Sequence, residues 1–168
     1  MSHAQAVVRP TQFRDPELDT SGEIVGFYPR EFYVFDNFSS FQVEWRGRLW
    51  PTSEHAFQAA KFFDTAPDVA EKIHQARSAH DAKKIAASNS EKTPDNWGDI
   101  KLDVMTEICR AKLEQHEYIQ WKLKDSGDLE IVEDSPKDAF WGWGADRKGR
   151  NELGKIWMRL RDELSQAQ

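Results

Sequence analysis

A chain of 168 residues is the size of one ordinary domain, and 23 Lys plus Arg against 29 Asp plus Glu leave it a net charge of -6. That balance argues against a broad electrostatic grip on a polyanion and leaves room only for local basic patches. The lone cysteine, Cys109, excludes an internal disulfide, no CxxC or HExxH spacing points to a metal or cofactor site, and no apolar run approaches the ~20 residues of a membrane span.

The first residues carry no apolar core of a signal peptide, so the expected setting is the cytoplasm, with no membrane partner. Residues 1–23 are polar, contain Pro10, Pro16 and Gly22, and read as an arm ahead of one domain over 24–168. Ile24 to Tyr28 reads as a short strand. Phe41-Gln42-Val43-Glu44-Trp45 alternates in period two, Arg46-Gly47 turns the chain, and Arg48-Leu49-Trp50 returns it as a hairpin. Helices then dominate. One starts at Pro51-Thr52-Ser53, and a second at Pro67 with Val69, Ala70 and Ile73 on its apolar side. Ser78 with Asp81 resembles a capping box for a third, through about Ala87. From Gly98 to Gln115, Val104, Met105, Ile108, Cys109 and Leu113 form an apolar stripe, which reads Cys109 as core. Tyr118, Ile119 and Leu123 continue helically to Asp125-Ser126-Gly127, and Leu129 and Ile131 suggest a short strand. Leu153, Ile156, Trp157, Leu160 and Leu164 give the face of a closing helix.

Two segments carry chemistry. In Trp50-Pro51-Thr52-Ser53-Glu54-His55-Ala56-Phe57-Gln58-Ala59-Ala60-Lys61-Phe62, Glu54 falls in the first helical turn, where the macrodipole favours an anion. Glu54, Gln58 and Lys61 follow at i, i+4 and i+7, placing a carboxylate, a carboxamide and an amine on one stripe. A solvated polar face is the bland alternative for that spacing. The second segment runs from Asp138 to Gly154. Gly142, Gly144 and Gly149 let the backbone turn and approach a ligand, and Arg147, Lys148 and Arg150 add positive charge before a helix that begins near Asn151. Free amides there would make an anion site, with Trp141 and Trp143 as flat walls for a base or sugar; a structural turn with exposed basic residues is the alternative. His74, His80 and His116 show no partner pattern and read as surface residues.

Together these segments resemble the NADAR family, also called YbiA-like. The similar pieces are Phe27-Tyr28, Asp36-Asn37-Phe38-Ser39, Trp50 to His55 with Gln58 and Lys61-Phe62, Trp97, Arg110-Ala111-Lys112, and Asp138 to Gly142 through Gly149 and Asn151-Glu152-Leu153-Gly154. The resemblance spans about residues 24 to 164. It implies an α+β, mainly helical fold with a small antiparallel β element, and cleavage of N-glycosidic bonds to ribose. Two substrates are associated with such proteins: ADP-ribose on guanine in nucleic acid (DNA placed ahead of RNA here), and phosphoribosyl-amino-pyrimidine intermediates of riboflavin synthesis. A module that binds ADP-ribose without cleaving it is a third reading.

Breaking a ribosyl C–N bond builds positive charge on the anomeric carbon and negative charge on the leaving base. Carboxylates suit that task, and Glu54 and Asp138 are the candidates. Lys61, kept partly neutral in a desolvated pocket, offers covalent catalysis through a Schiff base, with Glu54 as proton shuttle. Expected substrate contacts are Asn37, His55 in an orienting role, Gln58, Trp97 as pocket wall or core anchor, and Trp141, Gly142, Gly144, Arg147, Lys148, Gly149 and Asn151 of the loop.

Overall fold

The computed structural model describes residues 24–27 and 32–167. The arm expected at 1–23, and Tyr28 at the end of the first strand, lie outside them. The described residues form two compact units, Asn37–His116 and, separately, those up to Asp36 together with those from Glu117 onward.

In the unit Asn37–His116 the hairpin is β2 (Val43–Trp45) against β3 (Arg48–Trp50), antiparallel, with Val43 opposite Trp50. Arg46 and Gly47 both adopt positive φ, the backbone a two-residue hairpin turn requires. Four helices follow: α1 (Ser53–Ala60), α2 (Pro67–His74), α3 (Ala79–Ser88) and α4 (Trp97–Gln115). Thr52 caps α1, its Oγ1 accepting from the His55 amide, and Ser78 caps α3 by accepting from the Asp81 amide. Proline takes the first position of α2. The apolar stripe of α4 packs inward, with Cys109 fully buried among Met105, Ile108 and Leu113. Two histidines read as surface groups prove to fasten the hairpin instead. His74 Nε2 donates to the Leu49 carbonyl, and His116 Nε2 donates to the Gln42 carbonyl.

The other unit holds β1 (Ile24–Phe27), α5 (Glu117–Asp125), β4 (Glu130–Glu133) and α6 (Glu152–Gln166). β1 and β4 pair in parallel, Ile24 opposite Glu130, a pairing between distant segments that no local pattern announced. The second strand starts one residue later than Leu129 suggested. Phe32, Phe35, Ile119, Leu123, Ile131, Ile156, Trp157 and Leu160 are buried in this unit. Trp157 donates its indole N–H to the Phe35 carbonyl and stacks on the Phe35 ring, so the closing helix is pinned as well as packed. Among the described residues, no helix is long and apolar enough to cross a membrane.

Candidate active site

Six of the expected site residues come from the unit Asn37–His116, and α1 organises them. Its first free amides are met from outside the helix: the Glu54 amide donates to the Asn37 carbonyl at 3.0 Å, which ties the Asp36-Asn37-Phe38-Ser39 stretch to the helix start. Lys112 holds the same stretch from α4. This lysine is fully buried, donates to Ser39 Oγ at 2.8 Å and lies over the Phe41 ring. Sequence reading noted it only as part of a similar piece. The available signal was a cation inside the apolar stripe of Ile108, Cys109 and Leu113.

Glu54 is a buried carboxylate that accepts from Gln58 Nε2 at 2.7 Å, so the i, i+4 pair reads out as a direct bond. Lys61 sits just past the end of α1 but keeps helical dihedrals, φ -56 and ψ -29, which carries the stripe on by one more position. Its Nζ stands 5.9 Å from the Phe57 ring centroid and 6.0 Å from that of Trp97. Phe57 and Trp97 are themselves tilted together at 5.2 Å, and Trp97 is buried, so its indole serves as core anchor and as a wall beside the amine. This apolar setting pushes the Lys61 amine below the ordinary lysine value. Glu54 draws it back up, while Lys101 and Lys83 push it further down.

Three buried polar atoms around Glu54 lack a hydrogen-bond partner: Asn37 Oδ1, Ser53 Oγ and Gln58 Oε1. The Gln58 carboxamide cannot turn over to relieve this, because its N–H must face the Glu54 carboxylate. The Asn37 carboxamide points its N–H at Met105 Sδ, 3.4 Å away, and leaves its oxygen unmet. Each such atom costs about 1–3 kcal/mol when nothing satisfies it. Three lie together on one helix start and its adjoining loop, where hydroxyl or amide donors would satisfy them.

His55 belongs to the frame rather than to this polar cluster. It is buried, its Nε2 donates to the Ala76 carbonyl at 3.0 Å, and its Nδ1 accepts from the Thr52 hydroxyl at 2.8 Å. Both ring nitrogens are engaged in holding the helix start. Burial lowers its pKa from 6.5, despite the opposing bond to Ala76. The unfolded chain therefore binds the extra proton more readily than the fold does. Stability linked to His55 is complete above 6.5 and declines as pH falls through the lowered value. Urea unfolding at a series of pH values should show this slope in the native protein. In His55→Gln the slope should vanish, at a cost of about 1–2 kcal/mol from the lost hydrogen bonds.

The glycine loop lies in the other unit and is tied to itself. Asp138 Oδ1 accepts from the amides of Phe140 and Trp141 at 2.9 and 2.8 Å, which makes it the hinge of a turn. A side chain at Gly142 would strike the Glu133 and Asp138 carbonyls, and one at Gly149 would strike the Ala139 carbonyl, so these glycines permit close backbone packing within the loop. Gly144 takes positive φ beside Ala139. The expected free amides at the start of α6 are largely accounted for. Asn151, Glu152 and Leu153 donate theirs to Gly142, Phe140 and Trp141, and Arg150 pairs with Glu152 at 3.0 Å. The Asn151 side chain clasps β4, donating to the Ile131 carbonyl and accepting from the Glu133 amide, both at 2.9 Å. Trp141 is half-buried edge-on to Phe140, Arg147 lies over the Trp143 ring at 5.9 Å, and Lys148 is exposed.

Comparison with known proteins places the chain in a family. A family model described as the NADAR domain matches residues 12–165. The chain is 36% identical over 144 residues to N-glycosidase YbiA of Escherichia coli strain K12, covering 84% of this chain and 89% of that protein. It is 37% identical over 158 residues to riboflavin biosynthesis protein VVA0006 of Vibrio vulnificus, covering 94% of this chain but only 39% of that longer protein. The NMR structure of E. coli YbiA superposes with a TM-score of 0.78 at 34% identity, over 95% of this chain and 94% of that one. The α+β, mainly helical fold with a small antiparallel hairpin is therefore that of YbiA.

Proposed function

This chain belongs to the NADAR family, and from that premise we propose that it is an N-glycosidase acting on the C–N bond between a ribosyl 5′-phosphate and a nitrogen base. The observation that carries the reading is a buried Glu54 acting on an amine, Lys61, whose pKa burial pushes below the ordinary lysine value. The unmet oxygens of Asn37, Ser53 and Gln58 suit ribose hydroxyls as donors.

The chemistry balances with these groups alone. The Lys61 lone pair attacks C1′, and the C1′–N bond breaks with its electron pair passing to the base. Glu54 takes the proton released by the amine and hands it to that base nitrogen. The remaining amine proton moves to O4′ as the ring opens, giving a Schiff base. Water adds across the C=N bond, frees the sugar aldehyde and restores the amine. Glu54 carries the carboxylate role in this scheme because it borders Gln58 and Lys61. Asp138 has one oxygen engaged in its turn, where it shapes the loop, and takes no step in this scheme.

For the substrate, the proposal is ADP-ribose on guanine in nucleic acid, DNA ahead of RNA, because a net charge of -6 favours recognition of an adduct over a grip on many phosphates. The relative named for riboflavin biosynthesis supports a second substrate, a phosphoribosyl-amino-pyrimidine. Incubation with ADP-ribosylated single-stranded DNA and with the pyrimidine, followed by assay for released ADP-ribose or ribose 5-phosphate, separates the two. Binding without release in both would reduce the protein to a recognition module.

Trp141, Arg147 and Lys148 are proposed as ADP-ribose contacts in their own right. Arg147→Ala with Lys148→Ala should weaken ADP-ribose binding about three- to tenfold, the scale of exposed ionic contacts, with melting unchanged. Unaltered affinity by calorimetry would remove the loop from the binding set.

A further inference from the structure

We infer that Lys112 is a positioning residue for the sugar site: from α4 it holds the turn at 37–40 so that Asn37 meets the start of α1 with its side-chain oxygen kept for a sugar hydroxyl. The inference rests on the N-glycosidase reading for the identity of the sugar, but not for the clamp itself.

Residues 37–40 belong to no helix or strand, so no ladder of backbone hydrogen bonds fixes them and their place depends on individual ties. One tie joins the Asn37 carbonyl to the Glu54 amide at 3.0 Å. α4 supplies two more. Met105 Sδ accepts from the Asn37 carboxamide at 3.4 Å, and Lys112 Nζ donates to Ser39 Oγ at 2.8 Å. Met105 and Lys112 stand at i and i+7 on one face of that helix, and they grip the turn at two residues one apart from each other, Asn37 and Ser39. Lys112 is fully buried, and Asn37 and Ser39 are buried with it, so the grip is shielded from competing water.

The two ties from α4 are unequal. A thioether is a weak acceptor, whereas a lysine N–H to a hydroxyl at 2.8 Å is a full-strength bond. Lys112 therefore sets where the turn lies, and Met105 sets which way the Asn37 carboxamide faces. That facing leaves Asn37 Oδ1 buried and without a hydrogen-bond partner, as are Ser53 Oγ and Gln58 Oε1 on the helix that the turn braces. A turn able to drift would let the Asn37 oxygen find water or a backbone donor, and the site would lose its pull on a sugar hydroxyl. The effect of Lys112 passes through Ser39 to Asn37, so it acts on the sugar only by holding another residue in place.

Hydrogen exchange by NMR and calorimetry on the full chain test this. Ser39→Ala removes the acceptor for Lys112 with little change of volume, and Lys112→Met keeps a long side chain in the same place. In both, the Glu54 amide should exchange about tenfold faster while amides inside α4 keep their rates. Affinity for ribose 5-phosphate should fall about three- to tenfold. Asn37→Ala should lose affinity too but keep the slow Glu54 amide, because its backbone carbonyl remains. Adding Ser39→Ala to Asn37→Ala should then cost no further affinity. With an N-ribosyl substrate, the Ser39→Ala loss should appear in KM, with kcat within about twofold of native. A Glu54 amide whose exchange Ser39→Ala leaves unchanged overturns the clamp, and so does an affinity loss that adds in full to that of Asn37→Ala. A native protein that neither binds ribose 5-phosphate nor releases a sugar from a substrate dismisses the N-glycosidase reading, and exchange of the Glu54 amide still decides for or against Lys112.

Discussion

Lys61→Arg is expected to abolish turnover, by about 10⁴-fold or more, the scale on which enzymes fail when an activated nucleophile is removed. Arginine keeps the positive charge beside Glu54 and the stacking surfaces of Phe57 and Trp97, so substrate should still bind. What it removes is the lone pair, because a guanidinium does not deprotonate at neutral pH. Borohydride added during turnover should trap a sugar on the native protein, locatable to Lys61 by peptide mass, and nothing on the variant. The pH profile carries a second signature. Only the neutral amine attacks, so turnover rises as pH rises through the Lys61 value, and burial places that rise below the range of an exposed lysine. An arginine variant that retains full activity would transfer the reaction to water activated by Glu54.

Much of the scaffold behind this expectation is written locally. The Arg46-Gly47 hairpin, the Thr52 and Ser78 caps, Pro67 at the start of α2 and the apolar stripe of α4 are each set by a few adjacent residues, and each stands where local chemistry placed it. The parallel pairing of β1 with β4 is different in kind. It joins Ile24–Phe27 to Glu130–Glu133, and nothing in either segment specifies the other. The Glu54, Gln58, Lys61 stripe was legible because helical periodicity alone projects it onto one side. Its reinforcement was not. The unmet oxygens of Asn37, Ser53 and Gln58 beside it depend on how the 36–39 stretch and α4 pack on the helix start, which no local spacing specifies.

The glycine loop shows the converse. Glycines followed by basic residues and a helix start form a pattern that a phosphate site and a self-packed loop share, and spacing does not separate them. The separation lies in where the amides point. Those of Asn151, Glu152 and Leu153 turn back to the carbonyls of Gly142, Phe140 and Trp141, so the first amides of α6 are spent within the loop. Asn151 would have been hard to assign from sequence, since its left-handed backbone and its clasp on β4 both depend on a strand about twenty residues earlier.

Glu54→Gln is the second large effect, a fall in turnover of about 10² to 10⁴-fold, the range of a lost general acid–base group. The change removes a proton carrier and almost no volume, and the Gln58 side chain can still donate to the new amide oxygen, so the helix start should stay folded. Substrate affinity should hold, which distinguishes a lost proton transfer from a lost contact. The same substitution should also move the pH profile in a direction that a purely structural defect would not. Glu54 is the group that holds the Lys61 amine up toward its ordinary value, whereas burial, Lys101 and Lys83 press it down. Without that carboxylate the amine deprotonates at lower pH, and the residual activity should begin its rise earlier than in the native protein. Reduced turnover with an unshifted profile would mean that Glu54 and Lys61 do not share a site in solution, and both roles would then have to be reassigned.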